Sequence, residues 1–349
     1  IDIWELLVLQ DRLLALSGCP YYFGPVNMYK NYMHSGPLKT LIIGTRGSPL
    51  ALWQAGWVKE RLTALVPGIQ ISFKEIKTTG DKMLDVSLAK VGGKGLFLKE
   101  IEEALLAGEV DIAVHSMKDV PVTLPKGLVL GAMMAREDPR DVFVSRRWTR
   151  FFDLPQGARV GTSSLRRRTQ LLHHRPDLKI VSLRGNVGTR LKRLEEGSVD
   201  AIILAAAGMK RLNCEHHITE YLETEILLPA VGQGCVGIEA RDNRQDVLKL
   251  ITLLNDPQTQ ICVEAERHLL QILEGGCQAP IGVYGTMVQD RLTLVAKVLS
   301  YDGQTVLAEV AEGSMKDPGA VARHLGDRLI RQGAQKILQE VIEAMDNEG

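Results

Sequence analysis

One cysteine in the chain stands where a nucleophile would be useful. Cys277 lies in LEGGCQAP (273–280), directly after two glycines and three residues before a proline. Glycine and proline suit neither a helix interior nor a central strand, so the thiol belongs on a loop. By itself a free cysteine reads as a small buried hydrophobe, and the other clusters must supply the argument for more. VHSMKDVP (114–121) ends an apolar run with Ser116, Lys118 and Asp119. An aspartate beside a cation forms an ordinary ion pair in most proteins. Among many cations it can also offset a positive intermediate or move a proton.

Three further motifs place hydroxyls and arginines where strands turn into helices. GTRGSPL (44–50) carries Arg46 and Ser48, VGTSSLRRR (160–168) carries Thr162, Ser164, Arg166 and Arg167, and LRGNVGTR (183–190) carries Arg184 and Arg190. Helix N-termini offer unpaired N–H groups, and arginine adds a planar fork that fits carboxylate or phosphate. From 159 to 193 there are ten Lys or Arg against one acid, Asp177. A solvated helix face accounts for Arg175, Lys179, Lys192 and Arg193, but not for arginines gathered at two successive helix entrances. A receptor for a polyanion does. The glycine-rich stretch 78–97 adds Lys90 and Lys94 and reads as a cation-bearing loop.

The elements that must hold these groups alternate between strand and helix. LIIGT, IQISFKEIK, DIAVHS and GLVLGAMM read as strands. Ser48 followed by Pro49 caps a helix in which Leu50, Trp53, Trp57 and Leu62 recur near helical spacing. Arg136 to Arg150 is charged and irregular and reads as a domain crossing. The rhythm then repeats through ARVGTSS, KIVSLRGN and VDAIILAAAG. After Asn255 come a helix, the Cys277 loop, a hairpin around YDGQ, and one amphipathic helix from about Pro318 to Met345.

Bulk properties exclude several classes. Lys+Arg and Asp+Glu are equal at 42 each, so no global charge favours nucleic acid or a membrane surface. The basic segment 159–193 contains no Phe, Tyr or Trp, which argues against a single-strand nucleic-acid site. The five cysteines include no CxxC pair, so neither a disulfide framework nor a metal site is expected, and the setting is cytoplasmic. Residues 1–37 read as an N-terminal extension, unstructured or an artefact of the assigned start. They lack the basic start and unbroken apolar run of an export signal.

From about Leu41 to the C-terminus the chain resembles the porphobilinogen deaminase (hydroxymethylbilane synthase) family. GTRGSPLALWQ, TTGDK, GGKGLF, VHSMKDVP, VGTSSLRR, RGNVGTRL, LPAVGQGCVGIE and EGGCQAP occur collinearly. The resemblance implies an α/β protein with two periplasmic-binding-protein-like domains around a cleft and a smaller α+β C-terminal domain. The implied boundaries are 38–134 plus 235–252, 135–234, and 253–349. It implies a transferase that joins four porphobilinogen molecules head to tail, with loss of ammonia, into hydroxymethylbilane. Growth would start on a dipyrromethane cofactor bound through a thioether to Cys277. Asp119 would be the catalytic group, stabilising the azafulvene cation left when ammonia departs. Arg46, Arg166, Arg167, Arg184, Arg190 and Arg211 would bind carboxylates, helped by Lys118 and the loop residues Lys90 and Lys94. Ser48, Ser116, Thr162, Ser164 and Gln233 would add neutral contacts. A monomer is implied, with porphobilinogen as its small-molecule partner. The alternative is a two-lobed anion-binding protein without catalysis, which leaves Asp119 and Cys277 without a task.

Overall fold

The computed structural model describes residues 29, 32–33, 38–82, 98–274 and 279–347. The strands in chain order are β1 (Thr40–Thr45), β2 (Gln70–Glu75), β3 (Ile112–Ser116), β4 (Leu128–Met133), β5 (Asp141–Ser145), β6 (Arg159–Gly161), β7 (Lys179–Val181), β8 (Ala201–Ala205), β9 (Glu220–Leu222), β10 (Val236–Arg241), β11 (Ile281–Val288), β12 (Arg291–Leu299) and β13 (Val306–Ser314). They form three sheets, ordered β2-β1-β3-β10-β4, β7-β6-β8-β5-β9 and β11-β12-β13. In the first, β1 runs parallel to β2 and β3, and β10 runs antiparallel to β3 and β4. In the second, β6 runs parallel to β7 and β8, and β5 runs antiparallel to β8 and β9.

The two five-stranded sheets therefore share one plan. In each, the strand delivered by a crossing between lobes is inserted antiparallel between the third and fourth local strands. The two sheets make two lobes, with a smaller α+β unit at the C-terminal end. Parallel strands bring their carboxyl ends to one edge, where open α/β sheets handle ligands. The turns after β1, β3, β6 and β7 carry the polar motifs.

The principal helices are α1 (Pro49–Leu65), α2 (Lys99–Leu106), α3 (Leu165–His174), α4 (Val187–Glu195), α5 (Ala206–Arg211), α6 (Gln245–Thr252), α7 (Pro257–Ile272), α8 (Pro318–Arg331) and α9 (Ala334–Asn347). Their starts follow from local chemistry. Ser48, Ser164 and Asn186 cap α1, α3 and α4 by accepting from Ala51 N (3.4 Å), Arg167 N (3.4 Å) and Thr189 N (2.9 Å). The first core joins Ile43, Ile112 and Ile238 to Val247, Leu250 and Ile251 of α6, and Tyr32 packs on it. Tyr32 also accepts from Leu38 N at 2.9 Å.

Three expectations need correction. The buried face of α1 is Gln54, Ala55, Val58 and Leu62, while Trp53 lies 38% exposed at the rim. Trp53 instead stacks with Trp57, their ring centroids 5.7 Å apart. The stretch 136–150 is not irregular throughout, because Asp141–Ser145 is a wholly buried strand. The terminal helix is two helices, broken where Gly333 takes a left-handed φ of 98°.

Candidate active site

Asp119 sits on a single 3-10 turn (Met117–Asp119) as the chain leaves β3. The turn is fixed from below: Met117 N donates to Cys235 O at 3.0 Å, and Val120 N donates to Met117 O at 3.1 Å. Gly232 and Gly237 press against it. A Cβ on Gly237 would lie 2.1 Å from Met117 Sδ, and one on Gly232 would lie 2.7 Å from Met117 Cβ. The backbone around Met117 is thus locked, while the Asp119 side chain is exposed. Ser116 Oγ accepts from Gln54 Nε2 at 2.9 Å. Gln54 is the one buried polar residue of α1, and this bond gives its amide a partner.

The second lobe faces this turn with cations. Burial pushes the Lys118 ammonium down to about 8; the Asp119 carboxylate opposes the shift and Arg167 adds to it. Burial, with the nearby Arg167 and Arg184 guanidiniums, pulls Arg190 down to about 10 against the pull of Asp119. Lys118 and Asp119 of the first lobe and Arg167, Arg184 and Arg190 of the second therefore share one electrostatic field. Arg190 Nε donates to Gly185 O at 2.8 Å, which holds its fork at the mouth of α4.

Arg166 and Arg167 have a partner that the sequence reading missed. Asp141, fully buried at the start of β5, accepts from Arg166 Nη1 (2.8 Å) and from Arg167 Nη2 (2.6 Å). Arg166 Nη1 also donates to Leu228 O (2.7 Å), and Arg167 Nη1 donates to Ile203 O (2.9 Å). Burial would raise the Asp141 carboxyl, but the two guanidiniums outweigh it and hold the group at about 2. Asp141 thus anchors both arginines at the root of α3. A carboxylate at the head of the apolar run DVFVS was the available signal. Gln233 joins this knot, donating from Nε2 to Asp141 Oδ1 (3.0 Å) and Pro139 O (2.7 Å).

The remaining positions are distributed. Thr162 is buried and its hydroxyl accepts from Ser164 N at 3.2 Å. Ser48 and Ser164 accept backbone protons as caps and keep a hydroxyl proton to donate. Arg46 is half-buried in the turn after β1. Arg211 is placed at the junction of the lobes: its guanidinium lies 5.7 Å from the Trp53 ring centroid and donates to Gly234 O at 2.6 Å. Lys90, Lys94 and Cys277 lie outside the described residues. Burial raises the Cys235 and Cys262 thiols to about 12 and keeps them protonated. Among the described residues no cluster of three or more His, Cys, Asp or Glu could hold a metal ion.

Glu266 of α7 ties the C-terminal unit to both crossings. It accepts from Arg136 Nη1 (2.5 Å), Gly232 N (2.6 Å) and Gly285 N (2.9 Å).

Strand order and electrostatics together define a two-lobed α/β protein with a cationic site and one exposed aspartate where the lobes face each other. The family model described as porphobilinogen deaminase, dipyromethane cofactor binding domain matches residues 41–249, and the model of that family's C-terminal domain matches 260–331. The chain belongs to the porphobilinogen deaminase family. It is 53% identical over 306 residues to the porphobilinogen deaminase of Syntrophobacter fumaroxidans, covering 88% of this chain and 99% of that one. It is 52% identical over 298 residues to that of Syntrophotalea carbinolica, covering 85% and 95%. Among solved structures, the methionine-binding protein MetQ is similar with a TM-score of 0.41 and 13% identity, covering 62% of this chain and 90% of that one. The Bordetella pertussis BvgS periplasmic VFT2 domain is similar at 0.39 and 15%, covering 65% and 90%.

Proposed function

We propose that this chain catalyses the head-to-tail condensation of four porphobilinogen molecules into hydroxymethylbilane with release of ammonia. The observation that carries the reading is the facing of Lys118 and Asp119 by Arg167, Arg184 and Arg190 across the two lobes. Porphobilinogen carries an acetate, a propionate and an aminomethyl group, so its ligand needs are two anion sites and a partner for developing positive charge. Arg46, Arg167, Arg184, Arg190 and Lys118 hold the carboxylates, with Arg166 bracing Arg167 through Asp141. Ser48, Ser116, Thr162 and Ser164 complete the polar wall. Arg211 and Gln233 support the junction from which the lobes present these groups.

A dipyrromethane also bears acetates and propionates, and the residues present fit it. Burial and mutual repulsion depress Lys118 and Arg190, and carboxylates among them would relieve that cost. When bound, this group supplies the terminal pyrrole carbon on which the chain begins. We assign its thioether to Cys277, with the loop lysines Lys90 and Lys94 assisting in carboxylate binding. The exposed Asp119 carboxylate accepts from pyrrole N–H groups. It offsets the positive charge that develops on the substrate methylene as the C–N bond breaks, and it takes part in the proton transfers around the new C–C bond.

The reading divides the chain into lobes of 38–134 plus 235–252 and of 135–234, with a cofactor-bearing unit at 253–349. It also includes a monomer in the cytoplasm; among the described residues no helix is long and apolar enough to cross a membrane.

Intact-protein mass spectrometry tests the assignment. Wild type is expected to carry the added mass of two linked pyrrole units on the peptide containing Cys277, and Cys277→Ser to lack it. An unmodified active wild type, or an adduct that survives the substitution, overturns the assignment. Binding of porphobilinogen without ammonia release would favour the non-catalytic two-lobed receptor instead.

A further inference from the structure

We infer that Arg267 is a positioning residue for Asp119, coupling the cofactor-bearing unit to the catalytic turn. The inference rests on the functional reading above. Arg267 lies in the penultimate turn of α7, ten positions before Cys277, and only 9% of it is exposed. Its fork spans three successive carbonyls of the first lobe. Nη1 donates to Val120 O (2.9 Å), and Nη2 donates to Pro121 O (2.6 Å) and Val122 O (3.1 Å). These are the three residues that follow Asp119.

The chain before Asp119 is already clamped by the second crossing, through Met117 N to Cys235 O and the close approach of Gly232 and Gly237. On the far side, Val120, Pro121 and Val122 lie outside every helix and strand, so no ladder supplies donors to their carbonyls. Arg267 provides them. The Asp119 backbone is thereby held on one side by the junction of the lobes and on the other by the C-terminal unit. Its neighbour Glu266 accepts from Gly232 N at 2.6 Å, so adjacent residues of α7 grip both flanks of the turn.

A single buried guanidinium can span successive carbonyls because its donors are fixed in one plane, whereas an ammonium presents a point charge. Displacement of a reacting carboxylate by about 1 Å costs on the order of a hundredfold in rate.

The test uses holoenzyme. Arg267→Met and the milder Arg267→Lys are compared with wild type for pyrrole adduct by intact mass and for kcat and KM with porphobilinogen. Both variants are expected to carry the adduct, to lose at least tenfold in kcat, and to hold KM within threefold. Lysine should restore less than half of the loss on a logarithmic scale. In an Asp119→Glu background, where the carboxylate is already displaced, Arg267→Lys should cost less than twofold in the single-turnover rate. Loaded variants with kcat within twofold of wild type overturn the inference, as does an equal cost in the two backgrounds. A KM rise without loss of kcat also overturns it, because it would make Arg267 a binding cation. Wild type lacking both adduct and turnover overturns the functional reading, and this inference with it.

Discussion

Replacing Asp141 with asparagine removes one charge and almost no volume, so it isolates what the buried carboxylate does. The folded carboxyl titrates at about 2 against an ordinary 3.8. At about 1.4 kcal/mol per unit, that shift corresponds to roughly 2.5 kcal/mol favouring the ionised form. The variant loses more, since Arg166 and Arg167 stay 5% exposed with their main anion gone. Breaking a buried pair from one side costs about 3–5 kcal/mol. Hydrogen exchange read by mass spectrometry should therefore show the opening free energy of β5 and β8 falling by about 3 kcal/mol at pH 7. Exchange in the β1–β2 pair of the other lobe should be unchanged. The pH dependence has a defined sign. A carboxyl whose folded pKa is depressed contributes stability above its unfolded value and loses it as pH falls towards the folded one. The gap between wild type and variant should hold from pH 7 to 5 and narrow from about pH 4 towards 2. A difference below about 1 kcal/mol at pH 7, or one indifferent to acid, would refute the claim that Asp141 anchors both arginines.

Three further outcomes follow from the same geometry. Asp119→Ala should abolish ammonia release while changing stability by less than about 0.5 kcal/mol, because the side chain is exposed; near-normal turnover would remove it from the centre of the reaction. With Lys118 at about 8 before pyrroles bind, the rate at which the apoprotein acquires its pyrrole group should fall as pH rises through that value and the ammonium is lost. Lys118→Met should lack this limb, and a pH–rate profile that keeps it assigns it elsewhere. Gly234→Ala should lower stability by about 2 kcal/mol or more, because φ is +90° and the new Cβ would lie 2.3 Å from Glu137 O. Gly157→Ala, at φ +75° with nothing within 4 Å, should lose only about 1 kcal/mol in thermal unfolding.

The parts of this protein that are local in sequence were legible there. Ser48, Ser164 and Asn186 are caps because a short oxygen meets an N–H three residues ahead, so motif and geometry are one fact. The same holds for the turns after β1, β3, β6 and β7, and for the strand and helix rhythm that brings them to one edge. The resemblance, which rests on many collinear motifs, pointed to Asp119 and the arginines. The terminal helix break at Gly333 was less legible, because a glycine near one end of a periodic run does not declare its φ.

Tertiary structure decided which charges a buried carboxylate anchors. Arg166 and Arg167 look equivalent to Arg184 and Arg190 as residues in a basic run, yet the first two are tied to a carboxylate about 25 positions earlier. Arg267 reads as one more helix charge until the fold brings it to carbonyls 145–147 positions away. Arg211 belongs to a basic helix end until Trp53 of the other lobe closes over it. A buried charge needs a partner at hydrogen-bond distance, and only the packed chain determines which group stands there.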